Sequence, residues 1–320
     1  RVGVLRGGPS GEYEVSLASG ASVLEHLPHD KYSPFDIFID RKGKWHWSGM
    51  AAEPSKILKH LDVVFNALHG EYGEDGKVQK LLENLFVPFT GSPSLPSALA
   101  MNKALSKKIF EKAGLKIPRY RVLKKEEVNY LKTFEAFSSL AKPLVVKPAT
   151  AGSSLGVSIV DSLESFSGAI NEALKYSSAV IIEECIKGKE VTCGVVESFR
   201  DNRLFSLPPI EIRPPNEATF FDYQAKYSGK TQEICPAEIS PEETKRVQEI
   251  ASKAHRALGL RHYSRADMII GEDGEIYLLE TNTLPGLTAE SLLPKSLKAC
   301  GCEFGEFLDH LLTLALYKRR

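Results

Sequence analysis

This sequence predicts an α/β fold of more than one domain, and three observations carry the prediction. The chain has 320 residues, more than one ordinary core organises and enough for two or three domains. Residues 1–95 alternate short apolar runs with helical stretches, the pattern of parallel strands joined by helices. Late in the chain two alternating apolar runs flank Asp273-Gly274, a hairpin signal and so a mark of antiparallel sheet.

The elements follow in order. Val2–Leu5, Ser33–Ile39 and Val63–Ala67 read as strands, and Val15–His26 and Lys77–Leu85 as helices. Pro93 and Pro96 then mark a linker. Next come a helix (Leu99–Ala113), a strand (Leu144–Pro148), a Gly/Ser turn and a second strand (Gly156–Val160). A helix (Leu163–Tyr176) and the apolar run Ala179–Ile182 complete this region. Beyond it, long strands accompany an extended aromatic-rich loop, Arg213–Pro236. The helix Pro241–Leu258 has marked ends: Ser240 as N-cap, Pro241 at the first position, Glu243 closing a capping box, and Gly259 as the stop. Val247, Ile250, Ala251, Ala254 and Leu258 form its inward stripe.

Composition narrows the function classes. Lys and Arg number 41 and Asp and Glu also 41. That balance argues against a nucleic-acid or membrane-surface partner, which normally demands a basic excess. Small-molecule substrates are expected instead. The five cysteines are odd in number and scattered, and Cys300-Gly-Cys302 lacks zinc-site spacing. Reduced thiols and a cytoplasmic location are the expectation. No apolar run approaches the ~20 residues needed to span a bilayer. Val2-Gly3-Val4-Leu5 reads as a strand, not as a signal peptide.

The hairpin places chemistry. A turn centred on Asp273-Gly274 sets Asp267 opposite Glu280 and Arg265 opposite Asn282, a register that a three-residue loop would break. Alternation then puts all four on one face. Directly opposed carboxylates destabilise a sheet unless something neutralises them. With the Asn282 oxygen they form an all-oxygen set suited to Mg²⁺, while a solvated hairpin face remains the alternative from pattern alone. The turn at Thr283–Thr288 follows, and its Gly286 can offer a bare backbone N–H beside Arg265, as an oxyanion hole requires.

Other segments point at phosphate. Lys147 ends a strand, and the loop Ala149–Gly156, with Ser153 and Ser154, can aim N–H groups and hydroxyls at phosphate oxygens. The Walker A order is absent, and a strand follows, so the loop reads as a hairpin lid or as a plain flexible turn. Gly7–Glu12 and His69–Gly76 each follow a strand at the carboxyl edge of the predicted parallel sheet, where open α/β sheets bind ligands.

In order along the chain stand Gly-Gly-Pro-Ser-Gly-Glu-Tyr-Glu-Val-Ser (7–16), His-Gly-Glu-Tyr-Gly-Glu-Asp-Gly (69–76), Phe-Thr-Gly-Ser (89–92), Met-Asn-Lys (101–103) and Val-Lys-Pro-Ala-Thr-Ala-Gly-Ser-Ser-Leu-Gly-Val (146–157). Gly-Lys-Glu-Val-Thr (188–192), Phe-Asp-Tyr-Gln-Ala-Lys-Tyr (221–227), Ser-Arg-Ala-Asp (264–267) and Glu-Thr-Asn-Thr-Leu-Pro-Gly-Leu-Thr-Ala-Glu-Ser-Leu (280–292) continue the series. Over nearly its whole length the chain resembles the D-alanine–D-alanine ligase family of the ATP-grasp superfamily. Lys80 and Leu287 depart from the usual residues, at positions with no proposed ligand role.

The resemblance implies three ATP-grasp domains: an N-terminal parallel α/β domain (1–96), a small central α+β lid domain (97–182) and a C-terminal α+β domain with an antiparallel sheet (183–320). It implies ATP between the last two, with Lys103, Lys147 and Ser154 at the phosphates. Glu183, Glu184 and Ile186 would sit at the adenine and Glu190 at the ribose. Asp267, Glu280 and Asn282 would hold two Mg²⁺, with Mn²⁺ able to substitute. Glu12 would take the first D-alanine's ammonium and His69 lie near its carboxylate, while Lys226, Ser291 and Leu292 would bind the second. Ser153, Tyr227 and Glu12 look like the set that closes the 213–236 loop, and Arg265 with Gly286 like the oxyanion hole. The implied reaction is ATP-dependent dipeptide formation through a D-alanyl phosphate, for peptidoglycan precursors, in a cytoplasmic homodimer. Tyr227 points to an amino acid rather than a hydroxy acid as second substrate. Another ATP-grasp carboxylate ligase would lack the set of Glu12, Tyr227 and Ser291, and a non-catalytic relative would lack a metal ligand or Arg265. All are present.

Overall fold

A computed structural model describes residues 1–152, 155–214 and 231–317. The N-terminal region contains β1 (Val2–Gly7), α1 (Tyr13–His26), β2 (Pro34–Ile39), β3 (Trp45–Trp47), β4 (Met50–Ala51), α2 (Pro54–Leu58), β5 (Val63–Asn66) and α3 (Lys77–Asn84). Its sheet runs β4-β3-β2-β1-β5. β1 lies parallel to both β2 and β5, as the alternating pattern predicts, and the β3–β4 hairpin extends one edge antiparallel.

Two helices follow, α4 (Ser94–Met101) and α5 (Lys103–Lys112), where the sequence predicts one. The break is Asn102, whose backbone is extended (φ −87°, ψ 97°) and whose side chain accepts from Leu105 N, capping α5. Asn offers the backbone a bond that competes with the continuing helix. Ala100, Phe110 and Leu115 from this segment pack into the core under the C-terminal sheet.

The central region comprises β6 (Tyr120–Lys124), α6 (Tyr130–Ser138), β7 (Leu144–Pro148), β8 (Ser158–Val160), α7 (Leu163–Ala173) and β9 (Ala179–Glu184). Its four-stranded antiparallel sheet runs β6-β9-β7-β8. Leu144, Val146, Phe166, Ile170 and Ile182 give it a core of its own.

The rest consists of β10 (Gly188–Phe199), β11 (Asn202–Ser206), β12 (Ile210–Arg213), β13 (Gln232–Ile234), α8 (Pro241–Ala257), β14 (Tyr263–Gly271), β15 (Ile276–Asn282), α9 (Leu292–Ala299) and α10 (Phe304–Tyr317). The sheet is antiparallel, ordered β13-β12-β10-β14-β15, with β11 also on β10. α8 carries the predicted capping box: Ser240 Oγ accepts from Glu243 N, and Glu243 Oε2 from Ser240 N at 2.8 Å. Its inward residues Val247, Ala251 and Ala254 are fully buried.

The β14–β15 hairpin reaches its predicted pairing by a different route. The loop is three residues long, because Gly271 and Glu275 already pair, with Gly271 N donating to Glu275 O at 2.8 Å. Near the loop Ile270 therefore faces Ile276 and Met268 faces Leu278. A register shift between Asp267 and Met268 makes Leu279 the extra residue of a β-bulge, after which Asp267 faces Glu280 and Arg265 faces Asn282. The short loop and the bulge cancel. Among the described residues no helix is long and apolar enough to cross a membrane.

Candidate active site

Two cavities meet along the β14–β15 face. The larger, about 810 Å³, lies between central and C-terminal sheets, lined by Lys147 of β7, the Glu183–Glu190 turn, Ile212 and Ile269. The smaller, about 530 Å³, opens toward the N-terminal sheet and is lined by Glu12, His69, Glu74, Arg265, Gly286, Ser291 and Leu292. Lys103, Gly152, Glu190, Asp267 and Glu280 line both.

The shared edge is built by strand alternation. Arg265, Asp267, Glu280 and Asn282 all face the smaller cavity, the arrangement predicted from the hairpin. Arg265 grips Asp267 with two hydrogen bonds, Nε to Oδ1 and Nη2 to Oδ2, both 2.8 Å. Thr192, opposite Asp267 on β10, donates its hydroxyl to Oδ1 at 2.6 Å, and Asn282 Nδ2 approaches Oδ2 at 3.5 Å. Lys103 Nζ stands 3.0 Å from Glu280 Oε2. Burial works against the Arg265 charge, but Asp267 and Glu280 outweigh it and raise its pKa. Lys103 is shifted upward in the same way by Glu280.

Asn282 turns its amide nitrogen toward Asp267, which leaves the amide oxygen for a cation. Carboxylate oxygens carry lone pairs beyond those Arg265 and Thr192 use, so two carboxylates and an amide oxygen on one face fit Mg²⁺. Among the described residues no group of three His, Cys, Asp or Glu gathers as a metal site, and the third donor here is an amide.

The larger cavity holds a second charged cluster. Glu183, nearly fully buried on β9, shares its carboxylate between Lys107 Nζ (2.9 Å) and Lys147 Nζ (3.0 Å). Burial pushes the Glu183 carboxyl up, yet the two lysines together hold it below its ordinary value. Burial lowers the Lys107 pKa despite Glu183. Glu183, expected at the adenine, therefore has its carboxylate committed to lysines. Glu184 accepts from Ala141 N at 3.1 Å, and Ile186 and Glu190 line the wall. Lys107 went unassigned in the sequence, although it stands one helical turn from Lys103 and so on the same face.

In the smaller cavity the Glu12 carboxylate sits between two glycines. A Cβ at Gly70 would come within 2.7 Å of Glu12 Oε2, and one at Gly152 within 2.6 Å. A side chain at either position would displace the Glu12 carboxylate, and Gly70 at φ 71° is in addition a backbone position that favours glycine. Glu74, also unassigned in the sequence, is half-buried there and accepts from Gly70 N (2.7 Å) and Leu284 N (3.3 Å). Burial, and then the Glu12 charge, push its carboxyl up to about 8. Ser291 Oγ accepts from Thr288 N at 3.2 Å and contacts Thr288 Oγ1 at 2.8 Å. His69 is buried with Nε2 2.8 Å from Ser19 Oγ, and burial lowers its pKa. Ser153, Ser154, Lys226 and Tyr227 lie outside the described residues.

Comparison with known proteins agrees with this geometry. A family model described as D-ala D-ala ligase C-terminus matches residues 109–313, and one described as D-ala D-ala ligase N-terminus matches residues 1–56 and 48–92. The chain is 42% identical over 324 residues to the D-alanine–D-alanine ligase of Desulfotalea psychrophila, covering 100% of this chain and 96% of that one. It is likewise 42% identical over 321 residues to that of Geobacter sulfurreducens, covering 99% and 95%. Among solved structures, the VanG D-Ala:D-Ser ligase of Enterococcus faecalis superposes with TM-score 0.85 at 34% identity, over 98% of each chain. The Bacillus anthracis D-alanine–D-alanine ligase complexed with ATP gives TM-score 0.82 at 34% identity, over 100% of this chain and 98% of that one. The three-sheet α/β architecture is that of the ATP-grasp fold. With two carboxylates and two lysine-bearing cavities meeting at one edge, this chain is a ligase and belongs to the D-alanine–D-alanine ligase family.

Proposed function

We propose that the protein joins two D-alanines at the expense of ATP, through a D-alanyl phosphate, to supply peptidoglycan precursors. The observation that carries the reading is the junction of the two cavities at Lys103, Asp267 and Glu280. A phosphate donor in one cavity and a carboxylate acceptor in the other would meet there. Phosphoryl transfer needs little from the protein beyond positioning and charge. Lys103 and Lys147 supply cationic charge, and Asp267, Glu280 and Asn282 are the residues that would hold Mg²⁺. The metal, when bound, neutralises phosphate charge.

Glu12, between its two glycines, faces the substrate ammonium. When the second amine attacks the acyl carbon, Arg265 and the Gly286 N–H face the oxygen that gains charge. Ser291 and Leu292 line the second substrate's side of the cavity. Ser153, Lys226 and Tyr227 keep the roles implied by the family motifs, as do a cytoplasmic location and a homodimer.

The test is phosphate release from ATP with a panel of D- and L-alanine, D-serine and D-lactate. Release that requires Mg²⁺ and D-alanine, with D-alanyl-D-alanine as product, is expected. D-alanyl-D-serine as the main product would move the protein to the specificity named for the Enterococcus relative. Replacing Glu280 by Gln should remove both turnover and metal-dependent nucleotide affinity, and full retention of either sinks the assignment of the shared edge.

A further inference from the structure

We infer that Ser19 and His69 are positioning residues: they clamp the Leu284–Leu287 turn to the N-terminal domain and so fix the Gly286 N–H, without themselves binding substrate. The inference deepens the proposed ligase reading and rests on it for the role of Gly286.

The observations lie on both sides of a domain boundary. Ser19, on α1, is fully buried. Its hydroxyl oxygen accepts from Leu287 N at 3.2 Å and stands 2.8 Å from His69 Nε2. The Ser19 hydroxyl carries two lone pairs and one proton, so with Leu287 N–H as donor it still joins His69 Nε2 by a second hydrogen bond.

Leu284 is thus held at its N–H by Glu74, while Leu287 is held at its N–H by Ser19. The side chains of Leu284 and Leu287 are themselves buried in the core shared with β1 and β5. Both ends of the turn are fixed, and Gly286 between them lines the cavity. A Cβ on Gly286 would meet Ser291 Oγ at 2.7 Å, so a side chain there would have to displace the Ser291 hydroxyl. His69 Nε2 is engaged by Ser19, so the ring orients the hydroxyl that holds the turn.

A displaced oxyanion donor harms the step in which the oxyanion forms and spares the phosphoryl transfer before it. In Ser19→Ala the kcat for dipeptide formation is expected to fall about tenfold to hundredfold, as for a small misplacement of a catalytic group. The KM for ATP, and the D-alanine-dependent positional isotope exchange within ATP that reads acyl-phosphate formation alone, should stay at parental values. Ser19→Cys, with a weaker donor of similar shape, should fall between. An equal loss in exchange and in dipeptide formation, or no loss in either, overturns the inference. Nitrogen NMR reads the contact independently of activity: the His69 Nε2 resonance should shift in Ser19→Ala, and an unmoved resonance refutes the clamp. Absence of any D-alanine-dependent exchange in the parent sinks the ligase reading instead, and leaves the NMR result standing.

Discussion

Lys107 shows how much one buried side chain can hold. It is wholly buried beneath the larger cavity and bonded to a carboxylate that a second lysine shares. Lys107→Met should leave Glu183 leaning on Lys147 alone, at a cost of about 3 kcal/mol, typical of breaking a buried ion pair from one side. Urea unfolding at unchanged slope measures it, and an unchanged midpoint would show the cluster energetically idle. Glu74 makes a pH prediction. A carboxyl whose folded pKa lies above its unfolded one favours the fold while protonated, and this contribution is lost as pH rises from about 4.5 to about 8. Glu74→Gln should flatten that fall. If parent and variant lose stability equally across the window, burial does not govern the group.

At the scale of elements, the β14–β15 pairing was legible from the Asp-Gly turn and period-two alternation, but the compensating bulge at Leu279 was not. A bulge depends on twist and neighbours, not on any residue type in the run. Thr192 opposite Asp267 was likewise invisible, because β10 and β14 pair across a long stretch of chain and no local pattern sets their register. The capping box at Ser240 was readable because all its partners lie within four residues. Asn102 shows the limit of periodicity: the apolar spacing runs on through it while the side chain stops the helix. Asn102→Ala should fuse or fray α4 and α5, cost about 1 kcal/mol for the lost cap, and shift Lys103 away from Glu280. A raised KM for ATP with a modest change in melting temperature is the expected pair of readings, and an unaltered KM argues that the break does not place Lys103.

Across the whole molecule the cores are not divided as the sheets are. The central sheet encloses its own apolar cluster, whereas Val2, Val4 and Phe65 of the first sheet share one with Tyr263, Phe307 and Leu311 near the other end of the chain. Amide exchange should therefore report the central region as a separate unit of opening, with the first and last regions exchanging together. Common protection factors for all three would contradict this. The shared core also bears on how the protein is made. α10 packs on α1 and β5, and Tyr32 donates to Asp309 at 2.6 Å. The sheet of β1, β2 and β5 thus leaves part of one apolar face uncovered until α10 has been translated. The nascent chain must wait, half-sealed, for a lid encoded far downstream, and apolar surface left open in that interval is surface on which chains can aggregate.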